Sequence, residues 1–505
     1  MFDLQQLQYL REGNQLEAKE AAGGVPKSVW ETYSAFANTN GGVILLGVSE
    51  DRQHQLIATG LRDPERIAKD FWDTVNNRNK VSVNVLDDED VAVEQVGDAS
   101  IVAVHVPRAD REAKPIYVDR NPIGGTYRRN GEGDYKCSEE EYQAMVRDNG
   151  TGSIPLDHMP LARFDLEDLD SGTIAAYRNT LSAVRPGHPW LSLDMDEFLV
   201  RLGAAAKGDN GQNHPTRAGL LMFGHEWKIV QEFPYYFLDY REVSDGVRRW
   251  DHRIVSDDGE WGGNLYGFWL KTWPQIAQTI RRPFALDSSM RRVDDTPLHM
   301  ALREALANTL IHADYYVRGN TVIIRDRDGI SFANPGGLRI PPDVAVAGGL
   351  SDSRNPTLLK MFALISVVER AGSGFDAMRA GCGWAHVPFP NLTESFDPDR
   401  TQLTFKFSGS DTLEDNSKSY VTHRDEHGLS TTLTDNLPEE ILDDQEVVLA
   451  YLREKQTNVT RVQVERLLGS SASKAKYILK QLVDGGYIQR QGRGRGVSYA
   501  LKKGE

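Results

Sequence analysis

The 505-residue sequence contains only two cysteines, Cys137 and Cys382, and they lie far apart in the chain. Two distant cysteines exclude a disulfide framework and a cysteine-based zinc site, and they predict a reducing, cytoplasmic setting. No apolar run is long enough to span a bilayer, and the first residues lack the basic and apolar segments of a secretory signal. We therefore expect no membrane partner.

The chain also lacks an excess of basic charge. Its formal net charge is −15, so the molecule as a whole is not a basic nucleic-acid coat. Any nucleic-acid contact must use local patches. The length predicts three or four domains, and the apolar fraction supports sizeable cores. A monomer and a homo-oligomer both remain open.

One stretch, residues 299–315, organises the rest of the sequence. It is rich in Ala and Leu and has no Gly or Pro, which predicts a helix. Leu302, Leu306 and Leu310 recur at helical spacing, so we expect them to bury one face.

Glu304 and Asn308 are four residues apart on this helix, so they project side by side from a neighbouring face. A carboxylate and an amide placed together suit a hydrated Mg²⁺ ion, which prefers oxygen ligands and keeps waters and substrate phosphates in its shell. Glu304 could also orient a water molecule as a general base. The alternative is a surface Glu–Asn pair on an ordinary core helix.

Several turn motifs follow this helix. Residues 321–325 and 330–333 alternate like two paired strands, and Asn-Pro-Gly-Gly occupies 334–337. Ser-Arg-Asn-Pro then stands at 353–356 and Gly-Ser-Gly at 372–374. Glycine-rich turns allow backbone N–H groups to approach phosphates closely.

Together these motifs resemble the GHKL-type ATP-binding domain, in the divergent form found in RecG-like ATP-dependent regulators, over about residues 295–407. The resemblance implies an α/β sandwich with ATP and Mg²⁺ as cofactors, Glu304 as a catalytic residue and Asn308 as a ligand of the metal and ATP. The other implied ATP contacts are Asn334, Gly336, Gly337, Gly372 and Gly374. Asn334 stands where the family usually has Asp, and an amide oxygen can still accept a hydrogen bond from an adenine amino group. Whether ATP is hydrolysed stays open.

A second group of motifs lies near the start of the chain. Glu12, Glu17 and Lys19 precede Ala-Phe-Ala-Asn-Thr-Asn-Gly-Gly at 35–42, and an apolar strand follows at 43–48. Strand alternation places Glu17 and Lys19 on the same face. This pattern resembles the Schlafen AlbA-type domain over about residues 10–147, which implies nucleic-acid binding.

Some relatives in that family are nucleases, which implies two alternatives for the acidic residues. In the first, Glu12, Glu17 and Asp51 hold Mg²⁺ or Mn²⁺, which activates water, and Lys19 stabilises charge on the phosphate. In the second, the acids are structural or regulatory groups in a domain that only binds.

Arg128 and Arg129 could contact a nucleic-acid backbone, although a solvated basic turn explains them equally well.

The final 60 or so residues are rich in basic side chains. Helical patterns at 445–455, 461–468 and 472–483 precede a hairpin with a glycine–arginine tip, an order that resembles a winged helix-turn-helix. The predicted nucleic-acid contacts here are Lys474, Lys476, Arg493 and Arg495. A winged helix used for protein contact is the alternative.

We therefore predict an α+β multidomain protein. Its predicted parts are a Schlafen AlbA-like α/β domain (1–150), an α/β connector (151–294) with strands at 216–224 and 235–240, a GHKL-like ATP-binding α/β sandwich (295–408), a flexible linker (409–441) and a winged helix (442–505). The predicted function is that of an ATP-binding, nucleotide-regulated protein that binds DNA or RNA, either a transcription regulator or a defence factor. One alternative is an ATP-gated, metal-dependent endonuclease acting on RNA or single-stranded DNA, and another is a scaffold that has lost the nucleotide.

Overall fold

Two compact units make up the fold, one of Met1–Asn149 with Thr434–Glu505 and the other of Gly150–Leu433. The computed structural model describes residues 7, 10–150, 154–243, 250–278, 280, 295–349, 351–369, 374–396, 398–407, 444–455, 458–468, 472–484, 487–491 and 497–502. Within these ranges, no helix has both the length and the hydropathy needed to cross a bilayer.

The N-terminal part of the first unit is built on a four-stranded sheet of order β1-β2-β6-β5, in which only β1 and β2 run parallel. The elements are β1 (Leu16–Lys19), α1 (Ser28–Asn38), β2 (Gly42–Leu46), β3 (Val48–Glu50), β4 (Leu56–Ala58), α2 (Pro64–Val75), β5 (Val91–Val96), β6 (Ala99–Val106), β7 (Tyr127–Asn130), β8 (Gly133–Lys136) and α3 (Glu139–Asn149).

Strand β2 explains why this sheet is buried on both faces. Its side chains alternate, so Ile44 and Leu46 join one hydrophobic cluster with α1 and α2. Val43 and Leu45 join a second cluster on the opposite face. A strand covered on both sides reads as a continuous apolar run, which is how the sequence presents it.

The C-terminal part of the first unit has three helices followed by an antiparallel hairpin. The elements are α13 (Asp444–Lys455), α14 (Arg461–Leu468), α15 (Ala472–Asp484), β17 (Ile488–Gln491) and β18 (Ser498–Leu501). On α15, the buried residues Ala475, Ile478, Leu479 and Leu482 recur at helical spacing and face the other helices. The three helices lie where their patterns predict them.

The second unit contains a six-stranded sheet of order β12-β11-β13-β14-β16-β15. Its elements are α4 (Ser171–Val184), α5 (Met195–Leu202), β9 (Ala205–Lys207), β10 (Asn213–Pro215), α6 (Arg217–Phe223), α7 (Glu226–Glu232), β11 (Leu238–Glu242), β12 (His252–Val255), α8 (Leu265–Ala277), α9 (Pro297–His312), β13 (Thr321–Arg325), β14 (Gly329–Pro335), α10 (Pro342–Ala347), α11 (Pro356–Leu364), α12 (Gly374–Ala385), β15 (Asn391–Phe396) and β16 (Asp399–Lys406).

This sheet extends across the predicted boundary between a connector and an ATP-binding domain. Strand β11 pairs in parallel with β13, with Tyr240 opposite Ile323. One hydrophobic core extends from Leu161 to Phe405, across the predicted boundary at 294. Residues of the predicted connector therefore complete the sheet of the neighbouring segment and share its core.

The prediction of a strand at 216–224 is wrong, because the structure has helix α6 there. Thr216 caps this helix, and its hydroxyl accepts a hydrogen bond from Gly219 N at 3.0 Å. A short apolar run fits a buried helix as well as a buried strand, so periodicity could not decide between them.

Helix α9 is the predicted central helix, and its start is defined by Thr296, whose side chain accepts a hydrogen bond from His299 N. Helix α12 packs tightly along it. A Cβ added at Gly381 would lie 2.7 Å from both Ala301 Cβ and Pro297 O. This close approach packs the second half of α12 against the first turns of α9.

Candidate functional site

Glu304 and Asn308 lie side by side on α9. The Asn308 amide nitrogen donates a hydrogen bond to Glu304 Oε1 at 3.2 Å. Glu304 is 8% exposed, so its carboxyl group is largely removed from water. The four-residue spacing thus produces a joined acid–amide pair rather than two separate surface groups.

Burial raises the pKa of Glu304 from its usual value near 4.5 to about 7. The hydrogen bond from Asn308 acts in the opposite direction, and the negative charge of Glu369 raises the pKa further. Near neutral pH the carboxyl group therefore exists in both protonation states. A bound cation would favour the ionised form, because a metal ligand must be deprotonated.

A cavity of about 140 Å³ opens beside this pair. This volume is roughly ten times what one water molecule requires, so the cavity has room for an organic ligand. Glu304, Asn308 and Thr309 form part of its wall. Other lining residues are Phe332, Asn334, Gly337, Leu338, Arg339, Ile340, Arg354, Leu359, Glu369, Gly374, Phe375, Met378, Leu392, Thr401 and Leu403.

The Asn-Pro-Gly-Gly segment begins in the last two residues of β14 and turns at the cavity. Gly336 has a φ of +93°, and a Cβ there would lie 2.7 Å from a guanidinium nitrogen of Arg354, so this position requires glycine. Thr401 Oγ1 donates to Gly336 O at 2.9 Å and fixes the turn. Asn334 Nδ2 donates to Pro335 O at 3.2 Å, which orients the amide oxygen of Asn334 as the acceptor.

Gly374 begins α12 directly against the acid–amide pair. A Cβ on this residue would lie 3.0 Å from Asn308 Nδ2 and 3.1 Å from Glu304 Oε1. The absence of a side chain therefore lets the N-terminus of α12 approach both groups. Backbone N–H groups at a helix N-terminus favour anions such as phosphates. Gly372, the other predicted glycine of this turn, lies outside the described residues.

Two arginines line the cavity that no sequence pattern assigned to this site. Arg354 donates to His312 O at 2.6 Å and to Gly337 O at 2.9 Å, linking the end of α9 to the glycine turn. Arg339 donates to Ser353 O at 2.7 Å. Burial, followed by these two positive charges, lowers the pKa of His312 to about 4. The Ser-Arg-Asn-Pro motif was the available signal, but nothing local assigns it to this cavity.

In the first unit, Arg129 occupies the centre of a buried ion cluster. Its guanidinium donates to Glu17 Oε2 at 2.7 Å and to Asp134 Oδ1 at 2.9 Å. It also donates to Gly13 O at 2.9 Å and lies 5.2 Å from the ring centroid of Phe36. Arg129 is 2% exposed. This burial corrects the prediction that Arg129 contacts a nucleic-acid backbone, because no phosphate can reach an enclosed guanidinium.

The other predicted catalytic groups at this site are also engaged. Glu17 forms a second ion pair, with Lys19. Glu12 Oε1 accepts a hydrogen bond from Ala18 N at 2.9 Å. Burial raises the pKa of Glu12, the bond from Ala18 lowers it, and the charge of Glu17 raises it. Lys19 therefore neutralises Glu17, and this pairing argues against the predicted role of Lys19 at a phosphate.

Asp51 has a local structural role in the turn between β3 and β4. Its Oδ1 accepts hydrogen bonds from Gln53 N and Gln55 N, both at 2.8 Å. Among the described residues, no three His, Cys, Asp or Glu side chains come together as a metal site. Within the described ranges, the structure therefore does not bring Glu12, Glu17 and Asp51 together as the predicted Mg²⁺ or Mn²⁺ centre.

Three segments match known families. Residues 12–138 match the family described as Schlafen, AlbA_2. Residues 321–405 match the family described as Putative ATP-dependent DNA helicase recG C-terminal. The chain carries a Schlafen AlbA_2 domain and a RecG-like C-terminal domain. Residues 143–239, between them, match a domain of unknown function (DUF8451).

Two solved structures are similar to parts or all of the chain. A crystal structure of the DIP2311 protein from Corynebacterium diphtheriae is 16% identical, covers 97% of this chain and 95% of its own, and has a TM-score of 0.37. A solution structure of the N-terminal domain of a putative ATP-dependent DNA helicase RecG-related protein from Nitrosomonas europaea is 31% identical. It covers 26% of this chain and 90% of its own, with a TM-score of 0.21. No curated protein matches the chain.

The RecG-like domain points to ATP with Mg²⁺ as cofactor, and the AlbA_2 domain points to nucleic acid as partner. The cavity fits such a cofactor, since it combines a buried acid–amide pair with a glycine whose Cβ would fill the approach. The pair on α9 precedes the RecG-like match, which begins at 321. The chain's own geometry is therefore what links Glu304 and Asn308 to this domain.

The remaining predicted nucleic-acid contacts are only partly described. In the AlbA_2 domain, Arg128 forms an ion pair with Glu141 at 3.4 Å. In the C-terminal part, Lys476 lies 3.7 Å from Asp87. Arg493, Arg495 and the side chain of Lys474 lie outside the described residues.

Proposed function

We propose that the chain binds ATP with Mg²⁺ in the cavity beside α9 and that this binding controls its engagement of nucleic acid. The observation that carries the proposal is the buried Glu304–Asn308 pair at the cavity wall, joined at 3.2 Å. An acid that is buried beside an amide and a cavity is poised to hold a cation. The RecG-like match supports ATP as the source of the phosphates that accompany it.

Each wall of the cavity has a role in this proposal. Glu304 and Asn308 supply oxygen ligands to the metal and its waters. The oxygen of Asn334 accepts a hydrogen bond from the adenine amino group, and the backbone at Gly374 faces the phosphates. Bound Mg²⁺ neutralises phosphate charge. Binding alone suffices for the proposed control, and ionised Glu304 is the group that would orient a water molecule for hydrolysis.

The C-terminal part supplies the proposed duplex contact. Three helices and an antiparallel hairpin follow one another in the order of a winged helix, whose third helix enters the major groove. That helix is α15. It carries Lys476 and Lys480 four residues apart, so both lie on one side of the helix. The AlbA_2 match supports a nucleic-acid partner for the same unit.

Nucleotide binding to the full chain is the deciding experiment. Saturating ATP with Mg²⁺ should raise the Tm by several degrees, since ligand at 100 times its Kd stabilises a protein by about 2.7 kcal/mol. Glu304→Gln and Asn308→Ala should each weaken binding by roughly 10- to 100-fold, because each removes an oxygen that holds or orients the metal. Matched controls on the same unit are Glu197→Gln and Asn391→Ala, which lie outside the cavity lining. Both should bind as the unmodified chain does.

A Tm that millimolar ATP does not move would contradict the proposal and favour the scaffold alternative. Repeating the titration with duplex DNA tests the control step. If ATP changes the affinity for duplex, duplex must change the affinity for ATP by the same factor. Equal affinities with and without ATP would limit the function to two independent binding events.

A further inference from the structure

Arg461, the first residue of α14, lies within a group of carboxylates from the N-terminal part of its unit. Its guanidinium is 3.3 Å from Asp90, 3.6 Å from Glu89 and 3.9 Å from Asp87. Its own helix adds Glu465 at 3.0 Å. The Arg461 side chain is 15% exposed, so these contacts are largely shielded from solvent. They fasten α14 to the turn that precedes β5.

Helix α15 makes two further ion pairs with the same part of the unit. Lys476 lies 3.7 Å from Asp87, and Lys480 lies 3.3 Å from Glu112. The two lysines are one helical turn apart and therefore face the same way. Basic side chains of two helices thus meet acidic side chains of the AlbA_2 domain.

The chemistry of these contacts matches that of phosphate recognition. Carboxylates and phosphates both accept charge-assisted hydrogen bonds from lysine and arginine. Lysine and arginine side chains on a DNA-binding helix use the same N–H groups to contact the phosphate backbone. The carboxylates of Asp87 and Glu112 therefore occupy places beside α15 whose lysine contacts also suit phosphate oxygens.

We propose that the AlbA_2 domain holds the C-terminal helices in an intramolecular complex that competes with nucleic acid. The acidic turn at 87–90 and Glu112 cover basic side chains that a duplex would otherwise engage. The inference rests on the proposed nucleic-acid role of the C-terminal part. Its consequence is that the apparent affinity for duplex equals the intrinsic affinity multiplied by the undocked fraction of the chains.

The strengths of the contacts allow this exchange. Lys476 and Lys480 have side chains that are 42% and 46% exposed, and exposed ion pairs are individually weak. A polyanion can displace such pairs, especially because its contacts release counterions. Arg461 is more enclosed. In this proposal it keeps the C-terminal helices close to the AlbA_2 domain, so that they can dock again.

The first test removes the competing acids. The variant Asp87→Asn/Glu89→Gln/Glu112→Gln retains Asp90, whose carboxylate accepts a hydrogen bond from Asp87 N at 2.7 Å. The control Glu65→Gln/Asp98→Asn/Glu132→Gln makes the same change in net charge at exposed positions of the same domain. Binding of a labelled DNA duplex to each full chain is measured at about 0.1 M salt. The first variant should bind roughly three- to ten-fold more tightly than the control. Equal affinities would overturn the proposal.

The second test detects docking without relying on nucleic-acid binding. A carbodiimide activates a carboxyl group, and a contacting amine displaces the activating group to form an amide. We expect amides between Lys480 and Glu112 and between Lys476 and Asp87, identified by mass spectrometry. A mixture of isotopically light and heavy chains should show them within single chains. Added duplex should reduce their yield.

These outcomes separate the two proposals. Cross-links that persist unchanged with saturating duplex would overturn the competition, and cross-links between light and heavy chains would overturn an intramolecular complex. If cross-links form but neither variant binds any duplex, the proposed nucleic-acid role of the C-terminal part fails. Tight duplex binding without cross-links would instead overturn the proposed intramolecular complex.

Discussion

Sequence spacing marks two candidate metal sites in the chain, the pair Glu304–Asn308 and the pair Glu12–Glu17, and the structure places them in different surroundings. Glu304 is joined to the neutral amide of Asn308 and faces a cavity. Glu17, beside Glu12, is already neutralised by Arg129 and Lys19. Both glutamates are less than a tenth exposed. Burial alone therefore does not distinguish the two glutamates, whereas the charge of their neighbours does.

This difference also predicts opposite effects on stability. A buried carboxylate paired with a guanidinium is strongly destabilised when its partner is removed. Among the described residues Glu304 has no such partner, and burial raises its pKa, so its ionised form is destabilising. The ionised form of the first kind of acid is stabilised by its partner, and that of the second kind would be stabilised by a bound cation.

Arg129→Met gives the largest expected effect. It leaves Glu17 and Asp134 without their shared cation, so the free energy of local unfolding should fall by about 3–5 kcal/mol. Hydrogen exchange of peptides covering β1 and β2 measures this quantity directly. The control Arg66→Met removes a side chain that is 75% exposed and should change stability by less than about 0.5 kcal/mol. A loss below about 1 kcal/mol for Arg129→Met would mean that Arg129 does not hold Glu17 in a strong ion pair. Glu17 would then remain available to a ligand.

Glu304→Gln gives the next largest effect, and it depends on pH. The pKa of Glu304 in the folded chain is about 7, raised from 4.5 by burial. The stabilisation linked to this group is fully present below pH 4.5 and is lost as the pH rises through 7. The neutral amide does not titrate, so between pH 5 and 8 the variant should gain about 2.5 kcal/mol relative to the unmodified chain.

Hydrogen exchange at several pH values, without nucleotide, measures the free energy of unfolding of the second unit and therefore this gain. Glu197→Gln, at an ion pair with Arg201 near the surface, is the control and should show no such trend. A difference that stays constant with pH would show that Glu304 is already paired, as Glu17 is. The comparison between the two acids would then no longer hold.

The parts of this picture that sequence could predict are local. Helix α9 and strand β2 follow from periodicity within a few residues, and the Glu304–Asn308 contact follows from helical geometry. The enclosure of Arg129 could not be predicted, because Glu17 is 112 positions away in the chain. The same holds for Arg354, which reaches His312 O across 42 positions. Likewise, the pairing of β11 with β13 joins segments about 80 residues apart, which no local pattern specifies.

The smallest expected effect concerns Asp51, the third acid of the predicted metal centre. Asp51→Ala removes an acceptor from two backbone N–H groups in the β3–β4 turn, and it should destabilise that hairpin by about 1 kcal/mol. Asp51→Asn keeps an acceptor oxygen and should remain within about 0.5 kcal/mol of the unmodified chain. A metal ligand would behave differently, because the amide lacks the charge that holds a divalent ion. Mn²⁺ would then stabilise the unmodified chain but not Asp51→Asn. Thermal melts of all three proteins with and without Mn²⁺ distinguish the two roles. If Asp51 only orders the turn, Mn²⁺ should leave the order of the three Tm values unchanged.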